Sequence, residues 1–334
     1  MTEFSPRECR IGDRCFLLRE VGVQDRAAVL DLFVRVFGET PPATWYEWKY
    51  GEEGLDGKAY GLWEETGRLV AHLAGFPRLI SWRGKQIDAI QIGDMMVAPE
   101  ARGELTRRGP LYQVCSAFFA RWVGVGRPYA LAFGFTHERA MRLIEIIGLF
   151  VKVETIQRLV WSADSARLPW GWKMTNVASS APDFDRIIAL AWRKMEQEGK
   201  EHILGVRNAA QLRARFVARP GMRHRFLVIS RCWFGPCAVV IVRDEGNSVL
   251  RWLDFVGPRM ALPAAAAAVR RVAAEVGIAE VEIWASAAAQ ADLLAIGAQP
   301  AGTAAHLALA QASCCPDDSL ASKGWWLSGD TDYL

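Results

Sequence analysis

Residues 102–111 combine side-chain types and a spacing that suit the binding of phosphate groups. Three arginines supply positive charge, and two glycines let the backbone approach a ligand closely. A proline fits the first position of a helix, whose first turn offers unpaired N–H groups and the positive end of its dipole to an anion. The alternative is a strand-to-helix connection with solvated arginines. The residues are Arg102, Gly103, Arg107, Arg108, Gly109, Pro110 and Leu111.

A strand and a helix must hold this loop. Gln91–Pro99 (QIGDMMVAP) reads as the strand, and Pro110–Val123 reads as the helix. Asp94 lies on the strand, where its carboxylate could remove a proton from an ammonium group if burial raised its pKa. The alternative is an ordinary strand aspartate paired with a neighbouring arginine.

The composition is that of a globular protein. The chain has 334 residues, 51% apolar and 23% charged, which excludes disordered and collagen-like classes and indicates about two domains. The net charge of +3 does not by itself indicate nucleic acid. The first residues mix charges where a secretory leader needs an apolar stretch, and Ala264–Val269 is far shorter than the roughly 20 residues that span a bilayer. We therefore expect a cytoplasmic protein without a membrane span.

The cysteine and histidine residues predict no metal site. The seven cysteines are odd in number, contain no CxxC pair and have no histidine nearby at zinc-ligand spacing. We expect free thiols rather than a disulfide framework. The histidines that share no ligand spacing are interpreted as surface or core residues, and they are His72, His202, His224 and His306.

The two halves of the chain repeat one order of elements. Each half reads β-α-α-β-β-β-α-β-α-β, and the closest correspondence is Gln91–Pro99 with Leu250–Pro258, each followed by a helix. The order predicts a mixed α/β protein with two tandem copies, each a mostly antiparallel sheet flanked by helices. We place the first domain at 1–161, a junction at 162–172, the second domain at 173–312, and at 313–334 a tail that docks on the body because its aromatic residues would otherwise be exposed.

The first copy resembles the GNAT acyltransferase superfamily. Met96–Gly103, followed by Gly109 and a helix, is similar to the acetyl-coenzyme A loop of that superfamily, and His137–Leu149 resembles its second conserved segment. The resemblance implies acetyl-coenzyme A or another acyl-coenzyme A as a substrate, and His137 as a polar residue that positions the cofactor arm. The implied cofactor-binding residues are Met96, Val97, Arg102, Gly103, Arg107, Arg108, Gly109, Pro110, Leu111, Phe133, His137 and Ala140.

Three departures from the superfamily pattern bear on the chemistry. Leu105 stands where the loop usually has glycine, and Ile144 stands where many relatives carry a tyrosine that protonates the leaving thiolate. The loop of the second copy, 259–262, has no glycine and cannot build the same cradle. We therefore interpret the second copy as a degenerate partner.

The resemblance implies an N-acyltransferase that uses direct transfer and does not transfer aminoacyl groups. An amine attacks the thioester, a backbone N–H near Val97 polarises the carbonyl group, and Asp94 or water takes the proton. The expected acceptor is a small-molecule amine or an amino sugar. The alternative is a non-catalytic coenzyme A or small-molecule binding module. The sequence predicts no oligomeric state.

Two further groups of residues leave alternatives open. The aromatic residues Trp45, Trp48 and Tyr50 belong either to the core or to an acceptor groove beside the second helix. Eight arginines between His202 and Arg243 would suit a polyanion, but a helix, a turn and two strands do not place them on one face. We therefore do not expect a nucleic-acid partner.

Overall fold

The computed structural model of the protein describes residues 6–51, 54–102, 109–165, 167–246, 249–312 and 323–331. The chain divides into two units. The first unit contains the described residues of Met1–Arg78, Ile87–Val153 and His306–Asp317. The second contains those of Leu79–Gln86, Glu154–Ala305 and Asp318–Leu334.

The first unit is a mostly antiparallel sheet with four helices. Its strands follow chain order from β1 to β6, and only the β5–β6 pairing is parallel among the registers that the structure describes. The strands are β1 (Arg7–Ile11), β2 (Arg14–Glu20), β3 (Lys58–Glu64), β4 (Leu69–Trp82), β5 (Lys85–Val97) and β6 (Leu131–Thr136). The helices are α1 (Arg26–Phe37), α2 (Trp45–Tyr50), α3 (Pro110–Trp122) and α4 (Glu138–Ile147).

The second unit repeats this plan, with strand order β8-β10-β11-β12-β13-β7, in which β12 and β13 are parallel. The short strands β9 and β15 also pair in parallel. The strands are β7 (Val151–Ser162), β8 (Trp172–Val177), β9 (Ile203–Gly205), β10 (Arg225–Arg231), β11 (Gly235–Asp244), β12 (Val249–Val256), β13 (Glu280–Ala285), β14 (Gln299–Ala312) and β15 (Gly324–Trp325). The helices are α5 (Phe184–Glu198), α6 (Ala209–Leu212), α7 (Leu262–Glu275) and α8 (Ala287–Leu294).

The predicted order of elements is observed in both halves of the described chain. From β2 to β7 and again from β8 to β14, the elements follow the predicted sequence of strands and helices, with only the short β9 added in the second copy. The helical period explains why: α5 buries all six residues of its predicted apolar stripe, from Phe184 to Met195. The predicted mixed α/β fold class is therefore observed.

The last strand of each copy pairs within the other unit. Residues 306–312 of β14 form an antiparallel ladder with β6 in the first unit, and residues 157–162 of β7 pair with β13 in the second. The units therefore differ from the continuous ranges 1–161 and 173–312 at these strands and at Leu79–Gln86, the end of β4 and the start of β5, which belong to the second unit. The physical reason is that a sheet edge accepts any strand that supplies backbone N–H and C=O groups in register, whichever part of the chain it comes from.

Candidate functional site

The two parallel strands of the first unit part beside the predicted loop. Ala89–Ile92 pairs with Leu131–Gly134, and the pairing ends there although both strands continue. A Cβ atom on Gly134 would lie 3.0 Å from the carbonyl oxygen of Ile92, so glycine permits the closest approach just before the strands part. Asp94, two residues further along β5, has a left-handed backbone with φ 45°. The bend at Asp94 thus follows directly after the point where the pairing of the two strands ends.

Asp94 is held by two residues of α2. The ammonium Nζ of Lys49 lies 2.6 Å from Oδ1 of Asp94, and the hydroxyl of Tyr50 donates to Oδ2 at 2.8 Å. The side chains of Lys49 and Asp94 are each 8% exposed. The aspartate therefore pairs with a lysine and a tyrosine rather than with the arginine that the alternative interpretation named.

His72 on β4 contacts the backbone of Asp94. Its Nδ1 is 2.9 Å from the backbone oxygen of Asp94. Because a carbonyl oxygen can only accept, Nδ1 must carry the proton, which leaves a lone pair on Nε2 in the neutral ring. Nε2 is buried without a hydrogen-bond partner among the described residues. Burial lowers the pKa of His72, against the opposing effect of its bond to Asp94, so the ring is neutral at pH 7.

Aromatic rings enclose the Lys49 ammonium. Its Nζ lies 5.0 Å from the ring centroid of Trp45 and 4.9 Å from that of Phe76, both within the range of cation–π attraction. Tyr50 stacks on Tyr46 with centroids 4.7 Å apart. Trp45, Tyr46 and Tyr50 thus pack in the core of the first unit, and Trp45 also contacts the charged pair.

The described part of the loop forms a short 3-10 turn and the start of α3. Met96 is fully buried, and Nε of Arg102 donates to the carbonyl oxygen of Val97 at 3.0 Å. Gly109 is the N-cap of α3 without a side-chain cap, and Pro110 occupies the first turn, as predicted. Gly103, Arg107 and Arg108 lie outside the described residues, while Leu111 is half-buried on α3.

Residues of β6 and α4 form the other side of the opening. Phe133 is buried on β6. His137 is the N-cap of α4, where its Nδ1 accepts from the N–H of Ala140 at 3.2 Å. Ile144 is 2% exposed on the inner face of α4, so the position of the usual tyrosine carries no proton donor.

In the second unit, the C-terminal segment Leu327–Asp330 lies between the corresponding strands. β12 and β13 pair only at Val249–Arg251. Beyond that point, the N–H of Trp284 donates to Oγ of Ser328 at 2.7 Å. A Cβ atom on Gly329 would lie 3.0 Å from the Asp254 Cβ, so the segment also touches β12. The chain itself therefore occupies the space between β12 and β13.

A buried charge cluster fixes this segment. Arg207 donates to Asp254 at 2.8 Å and to Asp330 at 2.5 Å, and all three side chains are at most 4% exposed. Burial raises the pKa of Asp254 to about 6, although the neighbouring guanidinium of Arg207 opposes the rise. Within the described part of the predicted tail, Trp325 and Trp326 are likewise buried.

The parting strands, the bend at Asp94 and the N-terminus of α3 without a side-chain cap all lie in the first copy. Residues 18–140, which include them, match the family model described as an acetyltransferase (GNAT) domain. The family that the resemblance implied is therefore found over this stretch of the chain. No curated protein matches the chain by sequence.

Solved structures that match most of the chain share its fold. A probable N-acyltransferase from Enterococcus faecalis is 14% identical with a TM-score of 0.65, and the match covers 88% of this chain and 72% of that one. A GCN5-related N-acetyltransferase from Anabaena variabilis is 16% identical, with a TM-score of 0.63 and the same coverage. N-myristoyltransferase from Saccharomyces cerevisiae with bound myristoyl-CoA is 11% identical, with a TM-score of 0.61 and coverage of 93% and 86%. In the described part of this chain, no helix is long and apolar enough to cross a membrane.

Sequence reasoning missed two residues of the site. Lys49 was hidden among the aromatic residues of α2, and His72 was interpreted as a surface or core histidine. The available signal for His72 was a titratable residue inside the apolar strand β4, where a buried polar side chain needs a specific partner. Lys49 had no comparable signal, because a lysine in a short helix is usually solvated.

Proposed function

We propose that the first unit is an acyl-coenzyme A dependent N-acyltransferase that transfers its acyl group directly to a small-molecule amine or an amino sugar in the cytoplasm. The observation that carries the proposal is the parting of β5 and β6 next to the buried cluster of Asp94, Lys49, Tyr50 and His72. The family match and the acyl-coenzyme A held by a structural neighbour support the donor class.

The residues around the opening fit such a donor. The parting of β5 and β6 suits an extended arm between the two strands, and the first turn of α3 after Gly109 suits a pyrophosphate. The donor supplies a thioester carbonyl, which a backbone N–H near Val97 would polarise. His137 is already the cap of α4, so we assign it the task of fixing the N-terminus of that helix at the opening.

Two groups can accept the proton of the attacking amine. A carboxylate offers about four acceptor positions, and Lys49 and Tyr50 occupy two of those on Asp94. The remaining positions can take a proton from an acceptor ammonium. The neutral His72 has an unused lone pair at Nε2 and is the second candidate base.

The competing function is a coenzyme A binding module without catalysis. Ile144 favours it, because the usual proton donor is missing and the isoleucine is packed in the core. The two functions make the same prediction for binding but not for turnover.

Calorimetric titration and thiol release distinguish them. Acetyl-, longer acyl- and free coenzyme A are titrated into the protein, and free thiol is then followed over a panel of polyamine, amino-sugar and amino-acid acceptors. Asp94→Asn should lower turnover by at least about a hundredfold while donor binding stays, with Asp88→Asn on the exposed part of β5 as the matched control. Tight binding without thiol release on any acceptor would assign the first copy to the binding module.

A further inference from the structure

Three large aromatic side chains project into solvent from two adjacent turns of the second unit. Trp170 is 95% exposed, Trp233 is 85% exposed and Phe234 is 78% exposed. Trp170 lies just before the edge strand β8, and the other two form the β10–β11 turn. The N–H of Cys232 donates to the oxygen of Gly171 at 2.9 Å, which ties the two turns together. We call the group of Trp170, Trp233 and Phe234 the aromatic edge.

The hairpin does not need these aromatic residues in order to turn. Gly235 takes the left-handed conformation with φ 74° at the end of the turn. Glycine adopts this conformation without strain, so the turn can form whatever side chains precede it. An aromatic side chain carries about 150–250 Å² of surface, and folded proteins rarely leave several together in water. The aromatic edge therefore has the character of an interaction surface.

The charges around the aromatic edge are positive. The guanidinium of Arg231 lies 5.3 Å from the ring centroid of Trp172 and 5.7 Å from that of Phe234. Lys173 and Arg167 are exposed nearby in the chain. Among the described residues of 163–175 and 230–237, the one acidic side chain is Asp164, which pairs with Arg270.

A cavity of about 320 Å³ adjoins the same turns. Two cationic residues, Lys194 and Arg231, line it together with Phe234 and the half-exposed Met260. Glu198 also lines the cavity, and its carboxylate accepts from the N–H of Arg259 at 2.8 Å. Cationic and apolar groups thus meet at one place, which suits an amphiphile with an anionic head.

We propose that the aromatic edge docks on the surface of an anionic lipid bilayer. Tryptophan is enriched at the level of the lipid headgroups, where its ring is buried and its N–H remains hydrated. Arg231, Lys173 and Lys194 then face the lipid phosphates, and each basic residue near such a surface strengthens partition by about fivefold. The rings stand at turn tips rather than on a flat face, which favours a lipid surface over a protein partner that needs about 800 Å² per side.

Cosedimentation of the full-length protein with vesicles tests the proposal. Vesicles of phosphatidylcholine alone are compared with vesicles that also contain phosphatidylglycerol, at low and high salt. We expect binding to the anionic vesicles that added salt weakens. The triple variant Trp170→Ser, Trp233→Ser, Phe234→Ser should lose more than about tenfold in partition, and Arg231→Glu at least about fivefold.

Val125→Ser is the matched control, because Val125 is 88% exposed in the first unit and lies outside the aromatic edge. It should bind as the unmodified protein does, and circular dichroism should show all variants folded. The proposal is overturned if the unmodified protein does not sediment with anionic vesicles at low salt, or if the triple variant binds equally well. Light scattering that finds a dimer for the unmodified protein and a monomer for the triple variant would assign the surface to a second copy of the chain instead.

Discussion

The ammonium of Lys49 lies 2.6 Å from the carboxylate of Asp94, and the pair joins α2 to the bend in β5 across 45 residues of sequence. Both side chains are nearly excluded from water. The fixed position of the Asp94 carboxylate at the opening therefore depends on a residue of another element.

Removal of Lys49 should destabilise the first unit. Lys49→Met leaves the Asp94 carboxylate buried without its counter-charge, which costs about 3–5 kcal/mol. The double variant Lys49→Met, Asp94→Asn leaves neither charge unpaired, keeps a side chain that tolerates the left-handed backbone of residue 94, and should regain most of the loss. Urea unfolding measures both. Lys58→Met, which breaks a more exposed pair with Asp56, should change the free energy of unfolding by less than about 1 kcal/mol. Equal losses in the single and double variants would contradict this account.

Removal of the buried guanidinium of Arg207 should destabilise the second unit about as much as removal of Lys49 destabilises the first. Arg207→Met leaves the carboxylates of Asp254 and Asp330 facing each other and should cost about 3–5 kcal/mol in urea unfolding. Limited proteolysis should then cut the chain near residue 327. Arg207→Lys should not restore stability, because an ammonium cannot reproduce the fork that reaches both carboxylates. Arg213→Met, at an exposed pair with Asp185, is the control and should stay within about 1 kcal/mol.

The stability of the second unit should fall in mild acid because of His224. Burial lowers the pKa of His224 to about 4, although the bond of its Nδ1 with the Phe216 oxygen opposes this shift. The unfolded chain binds the proton below about pH 6.5 and the folded chain does not, so stability is complete above that pH and is lost toward pH 4. The loss should reach roughly 3 kcal/mol.

Urea unfolding at a series of pH values measures this slope. His224→Phe should make it shallower between about pH 6.5 and 4, and the part that remains includes His72, whose pKa burial also lowers. Asn176→Ser, an exposed change in the same unit that involves no titratable group, should leave the slope unchanged. A slope in His224→Phe as steep as that of the unmodified protein would contradict this account.

Ile144→Tyr should help catalysis little. The thiolate of coenzyme A resembles a free thiol with a pKa of about 8.5, so its protonation contributes little near neutral pH. Ile144 is also buried, and the larger ring should cost about 1–3 kcal/mol in stability. We expect a modest rise in thiol release if the protein is an enzyme and none if it only binds. A rise of a hundredfold or more would show that the missing tyrosine limits the native activity.

The element order could be read from the sequence, but the site could be read only in part. The apolar period of α5 and the glycine and proline residues around α3 are local signals, and the structure agrees with them. His72 and Lys49 contact Asp94 only when β4, β5 and α2 pack together. No local sequence pattern predicts these contacts. The exchanged strands escaped prediction for a related reason, since β7 and β14 have backbone groups that satisfy either sheet edge.

The seven residues of β14 that complete the first sheet are also the last part of the second copy to be synthesised. When residue 161 leaves the ribosome, β6 still lacks this neighbour, and the chain must add about half of its length before the neighbour exists. The first unit therefore cannot complete its sheet before the second copy is synthesised. In the usual order, an N-terminal domain finishes folding before the next domain is made. A gene fragment that ends at residue 161 would leave the edge of β6 open to pairing between molecules and should yield aggregates.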